Sequence, residues 1–306
     1  LVNEGHMNRV VRHAIDCGCD PLIAIQMATI NTACHFGMER ELGSITPGRR
    51  ADFIVTSSIN DLPIDVVFAR GERVAENGKL LTKCPHYEWP QTVRKTVNLG
   101  KKLELKDFVI SVPTGLSSVK AKVIGVIENQ APTKALEFDL PVKQGKVQVE
   151  GDVCYLSLVE RHRGTGAVVN GFVSGFGYTG SMAIASSVAH DSHHMIVVGT
   201  NQEMMACAAN RLGEVGGGVS LWKDGSEVAL VELPIAGLMS DSKASDVAVK
   251  AQAIVSAMID CGCTLNNAYM QHTLLALVVI PELRISDLGL VDVNRFELTK
   301  IIETNF

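Results

Sequence analysis

Apolar residues recur at helical spacing in the first part of the chain. Residues 6–17 place their apolar side chains on one stripe, which predicts an amphipathic helix. Asp20 and Pro21 then suit the N-cap and the first position of a second helix, which the pattern extends over 21–34. Because this second segment is apolar on nearly every side, we expect it to be well buried.

Beyond residue 37 the apolar runs become short and are separated by turn residues. A strand is predicted over 51–55, and a hairpin-like pair over 66–69 and 73–74 flanks Gly71. These runs predict a small β-rich module. The stretch 83–107 is basic, contains prolines and lacks periodicity, so it is predicted to be a linker laid over a surface.

From about residue 108 strands dominate first, and helices then alternate with strands. The predicted strands cover 120–127, 136–140, 147–149, 153–160, 167–173, 194–198, 219–221 and 228–233, and a further strand-like run over 274–280 precedes Pro281. The predicted helices cover 181–189, 202–214, 245–261 and 294–303. This order predicts a mixed α/β (α+β) fold, with a two-layer α/β domain over 108–306.

Composition narrows the class of protein. The chain has 306 residues, of which 46% are hydrophobic, so it can bury sizeable cores and is not disordered. With a net charge of −5 and only 5% aromatic residues, the chain lacks the basic patches and the aromatic stacking surfaces that nucleic-acid binding needs. Leu274–Ile280 is the longest apolar run and is too short to span a bilayer. We therefore expect a cytoplasmic chain that binds neither nucleic acid nor membrane. Because it starts without Met, a processed protein or a fragment is expected.

Two Cys-Gly-Cys motifs, at 17–19 and 261–263, invite a zinc interpretation. Zinc ligands are usually two to four residues apart, so this spacing fits poorly. Each motif follows an apolar stretch at helical spacing. We therefore predict that Gly18 and Gly262 end helices and that the cysteines beside them are reduced and structural.

A glycine-rich stretch, Gly175–Gly180, has the G-x-G-x-x-G spacing of dinucleotide-binding turns. That motif also needs an acidic residue at the end of the next strand, where it holds a ribose hydroxyl. The predicted strand 194–198 is followed instead by Gly199-Thr200-Asn201. The sequence therefore disfavours a dinucleotide site.

Two charged clusters could carry chemistry. His190, Asp191, Ser192, His193 and His194 concentrate imidazoles and a carboxylate between two apolar elements. This arrangement is typical of a functional loop on a rigid scaffold.

The second cluster, Glu160–Gly166, stands at the end of a predicted strand and begins with Glu160, Arg161 and His162. It could orient a substrate, or it could simply be a charged turn between two strands; the residues alone leave both interpretations open.

Longer motifs resemble a known family. MATINTA at 27–33 and GSITPGRRADFIV at 43–55 resemble the end of amidohydrolase-superfamily enzymes, where the last barrel helices meet a small β-sandwich. The remainder resembles the C-terminal domain of bacterial adenine deaminases. The matching stretches are ERH at 160–162, GTG at 164–166, GFV at 171–173, GFG at 175–177, IASSVAHDSH at 184–193, PIAGLMSD at 234–241 and LGLVD at 288–292.

The resemblance implies a domain organisation. It assigns 1–36 to the last helices of a TIM-type barrel, 37–82 to part of a β-sandwich, 83–107 to the linker and 108–306 to the adenine deaminase C-terminal domain. It also implies hydrolytic deamination of adenine to hypoxanthine and ammonia, with water activated by a divalent metal, manganese first and iron or zinc as alternatives.

The family's H-x-H metal motif is absent from this sequence. We therefore expect that this chain holds no metal by itself, that its partner is an N-terminal barrel half, and that the assembly is a homo-oligomer. An alternative is a non-catalytic purine-binding or interaction module derived from the same family.

Within the implied enzyme, charge and placement predict two groups of site residues. His190, Asp191 and His193 are predicted to lie over the barrel mouth and to bind or protonate the purine. The residues predicted to bind substrate are Glu160, Arg161, His162 and Ser192.

Overall fold

A computed structural model describes residues 4–83 and 87–303. The chain divides into two compact units, Leu1–Glu88 and Trp89–Phe306. Within the described residues, no helix combines the length and the apolar composition needed to cross a membrane.

The first unit begins with helices α1 (Met7–Asp16), α2 (Pro21–Ala28) and α3 (Ile30–His35). The predicted cap of α2 is confirmed, because the Asp20 carboxylate accepts hydrogen bonds from the backbone amides of Leu22 and Ile23 at 2.9 and 3.1 Å. The single helix predicted over 21–34 is interrupted at Thr29, whose backbone leaves the helical region at φ −125° and ψ −95°. There the Thr29 hydroxyl donates to the carbonyl of Ile25 at 2.6 Å, a local bond that competes with the helix.

The expected burial of this apolar segment is wrong. Leu22, Ile23 and Met27 are 61%, 52% and 56% exposed, and Ala24 is the buried residue of α2. The segment is apolar around most of its circumference, but the described residues pack only against the side that carries Ala24. Helix α2, together with Phe36 at the end of α3, therefore presents exposed apolar side chains, which we call the face of α2 and α3.

A small antiparallel sheet completes the first unit. Its order is β1-β2-β3-β4, and the predicted hairpin around Gly71 is confirmed as the turn between β2 and β3. Gly71 has φ +82°, which a residue with a side chain rarely adopts. The strands are β1 (Phe53–Val55), β2 (Val66–Ala69), β3 (Glu72–Glu76) and β4 (Lys79–Leu80).

A nine-stranded sheet forms the centre of the second unit, in the order β13-β12-β10-β11-β8-β9-β5-β6-β7. Its strand pairs are antiparallel except β5 with β9, which is parallel. The strands are β5 (Ser118–Val126), β6 (Thr133–Lys143), β7 (Lys146–Val147), β8 (Val153–Val159), β9 (Val168–Ser174), β10 (Met182–Ser186), β11 (Met195–Gly199), β12 (Gly218–Lys223) and β13 (Ser226–Glu232).

Both faces of this sheet are covered. Helix α4 (Gln202–Val215) and a 3-10 helix (Leu105–Phe108) pack on one face. The other face carries α5 (Ala244–Asp260), α6 (Ala268–Leu274) and a three-stranded sheet of β14 (Leu283–Ser286), β15 (Gly289–Asp292) and β16 (Glu297–Thr299). The mixed α/β class is confirmed, but three layers replace the predicted two. Leu99 and Leu103, within the predicted linker, are buried in the core beneath α4.

Three predicted elements of the second unit are wrong. Residues 181–189 contain strand β10 instead of a helix, because β10 lies between two strands and all five of its residues are buried. A strand buried on both faces shows a continuous apolar run without alternation. The run 274–280 ends α6 and continues as turns, and 294–303 holds strand β16 instead of a helix.

The buried Arg284 explains the fold around residue 280. Its guanidinium is 1% exposed and donates to the carbonyls of Leu274 and Ile280, both at 2.8 Å, and also to that of Ala131. Burial lowers the pKa of Arg284 to about 10, so it is still a cation at neutral pH. These carbonyls are turned towards one side chain and cannot form a strand ladder.

The prediction that Gly18 and Gly262 end helices is confirmed. Of the neighbouring cysteines, Cys261 and Cys263 are buried, whereas Cys17 is exposed. Gly18 and Gly262 follow the last turns of α1 and α5 with φ +98° and +91°. Their amides donate to the carbonyls of Ile15 and Ile259 at 2.9 and 2.8 Å, which closes each helix end.

Candidate functional site

Three loops meet at one end of the nine-stranded sheet. The 160–166 turn follows β8, the 187–194 loop joins β10 to β11, and the 233–241 segment follows β13. The strands that carry them are linked by pairing, since β11 pairs with β8 and β12 lies between β10 and β13. The two sequence clusters therefore lie on neighbouring loops.

The Glu160 carboxylate organises the 160–166 turn. One oxygen accepts from the backbone amides of His162 and Arg163 at 2.6 and 2.8 Å, and the other from the amide and hydroxyl of Thr165, both at 3.0 Å. Burial acts to raise the pKa of Glu160, but these donors outweigh burial and lower the pKa to about 2. Glu160 is thus ionised at neutral pH, and its oxygens hold the turn that carries His162.

Replacing this carboxylate by an amide tests the turn. Glu160→Gln would point an NH₂ group at backbone amides that now donate to an oxygen. We expect a loss of about 2 kcal/mol in the free energy of unfolding at pH 7. Urea unfolding measures it, with the exposed Glu137→Gln as the matched control. An unchanged midpoint for Glu160→Gln would contradict this assignment.

A cavity of about 400 Å³ opens beside the turn. Its apolar wall is formed by Leu158, Ala167 and Val169. Its polar lining comes from three separate parts of the chain: Glu160, His162, Arg163 and Thr165 from the 160–166 turn, Ser192 and His194 from the loop side, and Asp287 from the turn between β14 and β15. Its volume lies within the range of small-molecule sites.

Two imidazoles stand side by side in this cavity. The His162 and His194 ring centroids are 4.8 Å apart, and His162 Nε2 donates to the carbonyl of Ser192 at 2.8 Å. His194 Nε2 lies 3.7 Å from the half-exposed Asp287 carboxylate. Burial, followed by the charge of His162, lowers the pKa of His194, so the ring is neutral at pH 7.

The 187–194 loop is closed by bonds between its own residues. The Ala189 amide donates to His193 Nδ1 at 3.2 Å, and the His193 amide donates to the Ala189 carbonyl at 2.8 Å. The His190 amide donates to the carbonyl of Thr273 in α6 at 3.1 Å. Because Nδ1 accepts a hydrogen bond, the neutral His193 ring carries its proton on Nε2.

The structure divides the predicted site residues into three groups. Glu160, His162 and Ser192 line the cavity. Arg161 is buried behind the 160–166 turn and donates a hydrogen bond to the backbone carbonyl of His193 in the 187–194 loop. His190, Asp191 and His193 lie on the 187–194 loop outside the cavity lining, and the His190 and His193 ring centroids are 5.4 Å apart. The sequence analysis treats these residues as one site. In the structure they are divided between a cavity and the neighbouring 187–194 loop.

Four polar residues of the cavity lining are not among the predicted catalytic or substrate-binding residues: Arg163, Thr165, His194 and Asp287. The first two belong to the predicted turn motif, and His194 directly follows His193, so a broader reading of the same motifs would have included them. Asp287 has no such signal, because it is distant in sequence and reaches the cavity only through the packing of the small three-stranded sheet.

The glycine-rich stretch Gly175–Gly180 binds a carboxylate of the chain itself. The amides of Gly175 and Gly177 both donate to Asp152 at 2.6 Å. These amides are the donors that a phosphate would need at such a turn. The stretch also leads into strand β10, whereas a dinucleotide turn leads into a helix. Both facts agree with the prediction against a dinucleotide site.

The His, Cys, Asp and Glu side chains of the described residues do not come together as a metal site. Within residues 4–83 and 87–303, no three His, Cys, Asp or Glu side chains are grouped so that they could hold a metal ion. The histidines of the cavity and of the 187–194 loop do not form such a group. The described residues therefore do not fit a metal centre.

Two family models match the chain. Residues 130–297 match the adenine deaminase C-terminal domain, and residues 2–74 match the amidohydrolase family. The two matches lie within the second and the first unit respectively.

Curated relatives match over almost the whole chain. It is 70% identical to an adenine deaminase of Ruegeria pomeroyi over 306 residues, 99% of this chain and 51% of that protein. It is 64% identical to adenine deaminase 3 of Rhizobium meliloti over 304 residues, 99% of this chain and 51% of that protein. It is 43% identical to an adenine deaminase of Moorella thermoacetica over 304 residues, again 99% and 51%. The chain thus spans about half the length of the curated relatives that it matches.

Proposed function

Because the chain belongs to the adenine deaminase C-terminal domain family, we propose that it forms part of an adenine deaminase, which converts adenine and water to hypoxanthine and ammonia. The observation that carries this proposal is the 70% identity to a protein of that name over 99% of the chain. The match includes the 160–166 turn, the 187–194 loop and the 233–241 segment.

The proposed enzyme includes protein outside this chain. The relatives are about twice as long, and the amidohydrolase match covers residues 2–74. We propose that the first unit contributes the last helices of a barrel and part of a β-sandwich. A divalent cation held by residues outside this chain (manganese, iron or zinc) would supply the activated water.

The chain's own residues would bind and orient the purine. The 187–194 loop carries a neutral His193 with its proton on Nε2, an atom that could donate to a ring nitrogen of the base. Burial lowers the pKa of His193, which favours this neutral form. His190 and Asp191 flank it on the same loop. His162 and Ser192 line the adjoining cavity, where they would contact the base from the side.

Ammonia release tests this function. The complete protein, made with the sequence upstream of residue 1 and supplied with manganese, is expected to release ammonia from adenine. The 306-residue chain alone is expected to release none. Robust turnover by the chain alone would contradict the placement of the metal ligands. If the complete protein is inactive but binds adenine in calorimetry, the purine-binding module is the better description.

A further inference from the structure

Arg161 is a buried cation whose hydrogen bonds go to backbone carbonyls. Its side chain is 1% exposed. Nε donates to the carbonyl of His193 at 2.5 Å, and Nη2 donates to the carbonyl of Ala236 at 3.2 Å. Within the described part of the chain it forms no ion pair with a carboxylate. One guanidinium thus joins the 187–194 loop to the 233–241 segment.

A serine makes a second connection between the same two loops. The Ser187 hydroxyl donates to the carbonyl of Gly237 at 2.6 Å and accepts from the Gly218 amide at 2.7 Å. Ser187 therefore fixes the beginning of the 187–194 loop, whereas Arg161 fixes its end at His193. Between these two points the loop carries the residues predicted to act on the purine.

The guanidinium needs the glycine at position 237. A Cβ atom built on Gly237 would lie 2.7 Å from Arg161 Nη1, closer than real Cβ contacts. That nitrogen is buried and has no hydrogen-bond partner among the described residues. The space left by the missing side chain lets the planar fork reach both carbonyls at once. Gly237 and Arg161 consequently act as a pair.

We propose that Arg161 is a positioning residue, which holds the carbonyl of His193 and so fixes the 187–194 loop against the 233–241 segment. Its effect on catalysis rests on the proposed function, but its effect on the loop does not. The guanidinium acts through the backbone of His193, and that backbone in turn places Nδ1 against the Ala189 amide.

Two variants disturb this contact from opposite sides. Arg161→Lys keeps a positive charge, but one ammonium group cannot span two carbonyls as a guanidinium does. Gly237→Ala puts a methyl group against Nη1 and leaves Arg161 itself unchanged. Each has a matched control. For the arginine it is Arg211→Lys on α4, a half-buried side chain that pairs with Glu214 and Glu227. For the glycine it is Gly225→Ala, which also has a positive φ (+83°, against +71° at Gly237) but no atom within 4 Å of its added Cβ.

Amide hydrogen exchange and imidazole nitrogen NMR on the 306-residue chain give the readout. In both variants we expect the Ala189 amide to exchange about tenfold faster and His193 to lose its single Nε2–H tautomer. Amides of the β5–β6 pair and both control variants are expected to keep their exchange rates. This local pattern supports the proposal.

Three results would overturn the proposal: no change at Ala189 and His193 in either variant, equal acceleration throughout the sheet, or unfolding of both variants. The last two would make Arg161 a general stability residue. In the complete protein, Arg161→Lys is expected to lower kcat for adenine about tenfold with little change in KM. If the wild-type complete protein shows no deamination, the proposed function fails, whereas the exchange experiment still decides the role of Arg161.

Discussion

Lowering the pH from 7 to 4 is expected to remove about 3 kcal/mol from the stability of the second unit through one side chain, His272. His272 lies in α6, is fully buried and packs near Phe176, with the ring centroids 6.4 Å apart. Burial lowers the pKa of His272 from 6.5 to about 4. Between these two pKa values the His272 ring is protonated in the unfolded chain but neutral in the folded state.

The direction of this effect follows from the two pKa values. Above pH 6.5 the ring is neutral in both states, so its full contribution to stability is present. As the pH falls, the unfolded chain takes up the proton first, and stability is lost until the folded state is protonated as well at about pH 4. Below that pH, His272 causes no further loss.

Urea unfolding at several pH values between 7 and 4 measures this loss. His272→Leu replaces the ring by an apolar side chain, and we expect it to remove most of the pH dependence in this range. Glu160→Gln is the control, since the pKa of Glu160 falls from 4.5 to about 2 on folding, so its contribution is intact above about pH 5 and is lost mainly below about pH 4. If His272→Leu has the same pH dependence as the wild type, the burial argument is wrong.

Local signals in the sequence predicted much of the fold. Asp20 before Pro21 fixes the start of α2, and Gly18 and Gly262 close α1 and α5, because each of these effects involves residues within one helical turn. Strand β10 is predicted as a helix, because burial on both faces removes the alternation of apolar and polar residues on which strand prediction depends. The turns after α6 were also missed, since the Arg284 that organises them lies beyond the run itself.

The site shows the same division between local and distant contacts. The turn motif predicted Glu160 and His162 as neighbours, and the structure places both in one cavity. The sequence did not reveal that the Glu160 oxygens are occupied by the turn's own donors. Nor could it place Asp287 opposite His194, because that contact depends on how the small three-stranded sheet packs on the large one.

The 306-residue chain on its own is expected to self-associate through the exposed face of α2 and α3. Leu22, Ile23 and Met27 expose more than half of their side-chain surface, and Phe36 is 71% exposed. Burying one such side chain is worth roughly 1.5–3 kcal/mol. Ile23→Lys combined with Met27→Lys is therefore expected to raise the dissociation constant of the oligomer about 100-fold or more.

Light scattering and sedimentation over a range of concentrations measure the association. Val249→Lys is the matched control, because Val249 is an apolar residue of α5 in the second unit, away from α2 and α3 in the sequence, and is 72% exposed. We expect it to leave the association unchanged. A wild-type chain that stays monomeric at high concentration would contradict the prediction.

The same two lysines give a different expected result in the complete protein. There we propose that residues outside this chain cover the face of α2 and α3, so Ile23 and Met27 would be buried within one polypeptide. Placing charges in that interface should lower the stability of the complete protein by several kcal/mol, on the order of the burial that is lost. Val249→Lys should have little effect. If the double variant instead weakens only the self-association of the short chain, the face of α2 and α3 is an interface between copies and not between the two halves of one enzyme.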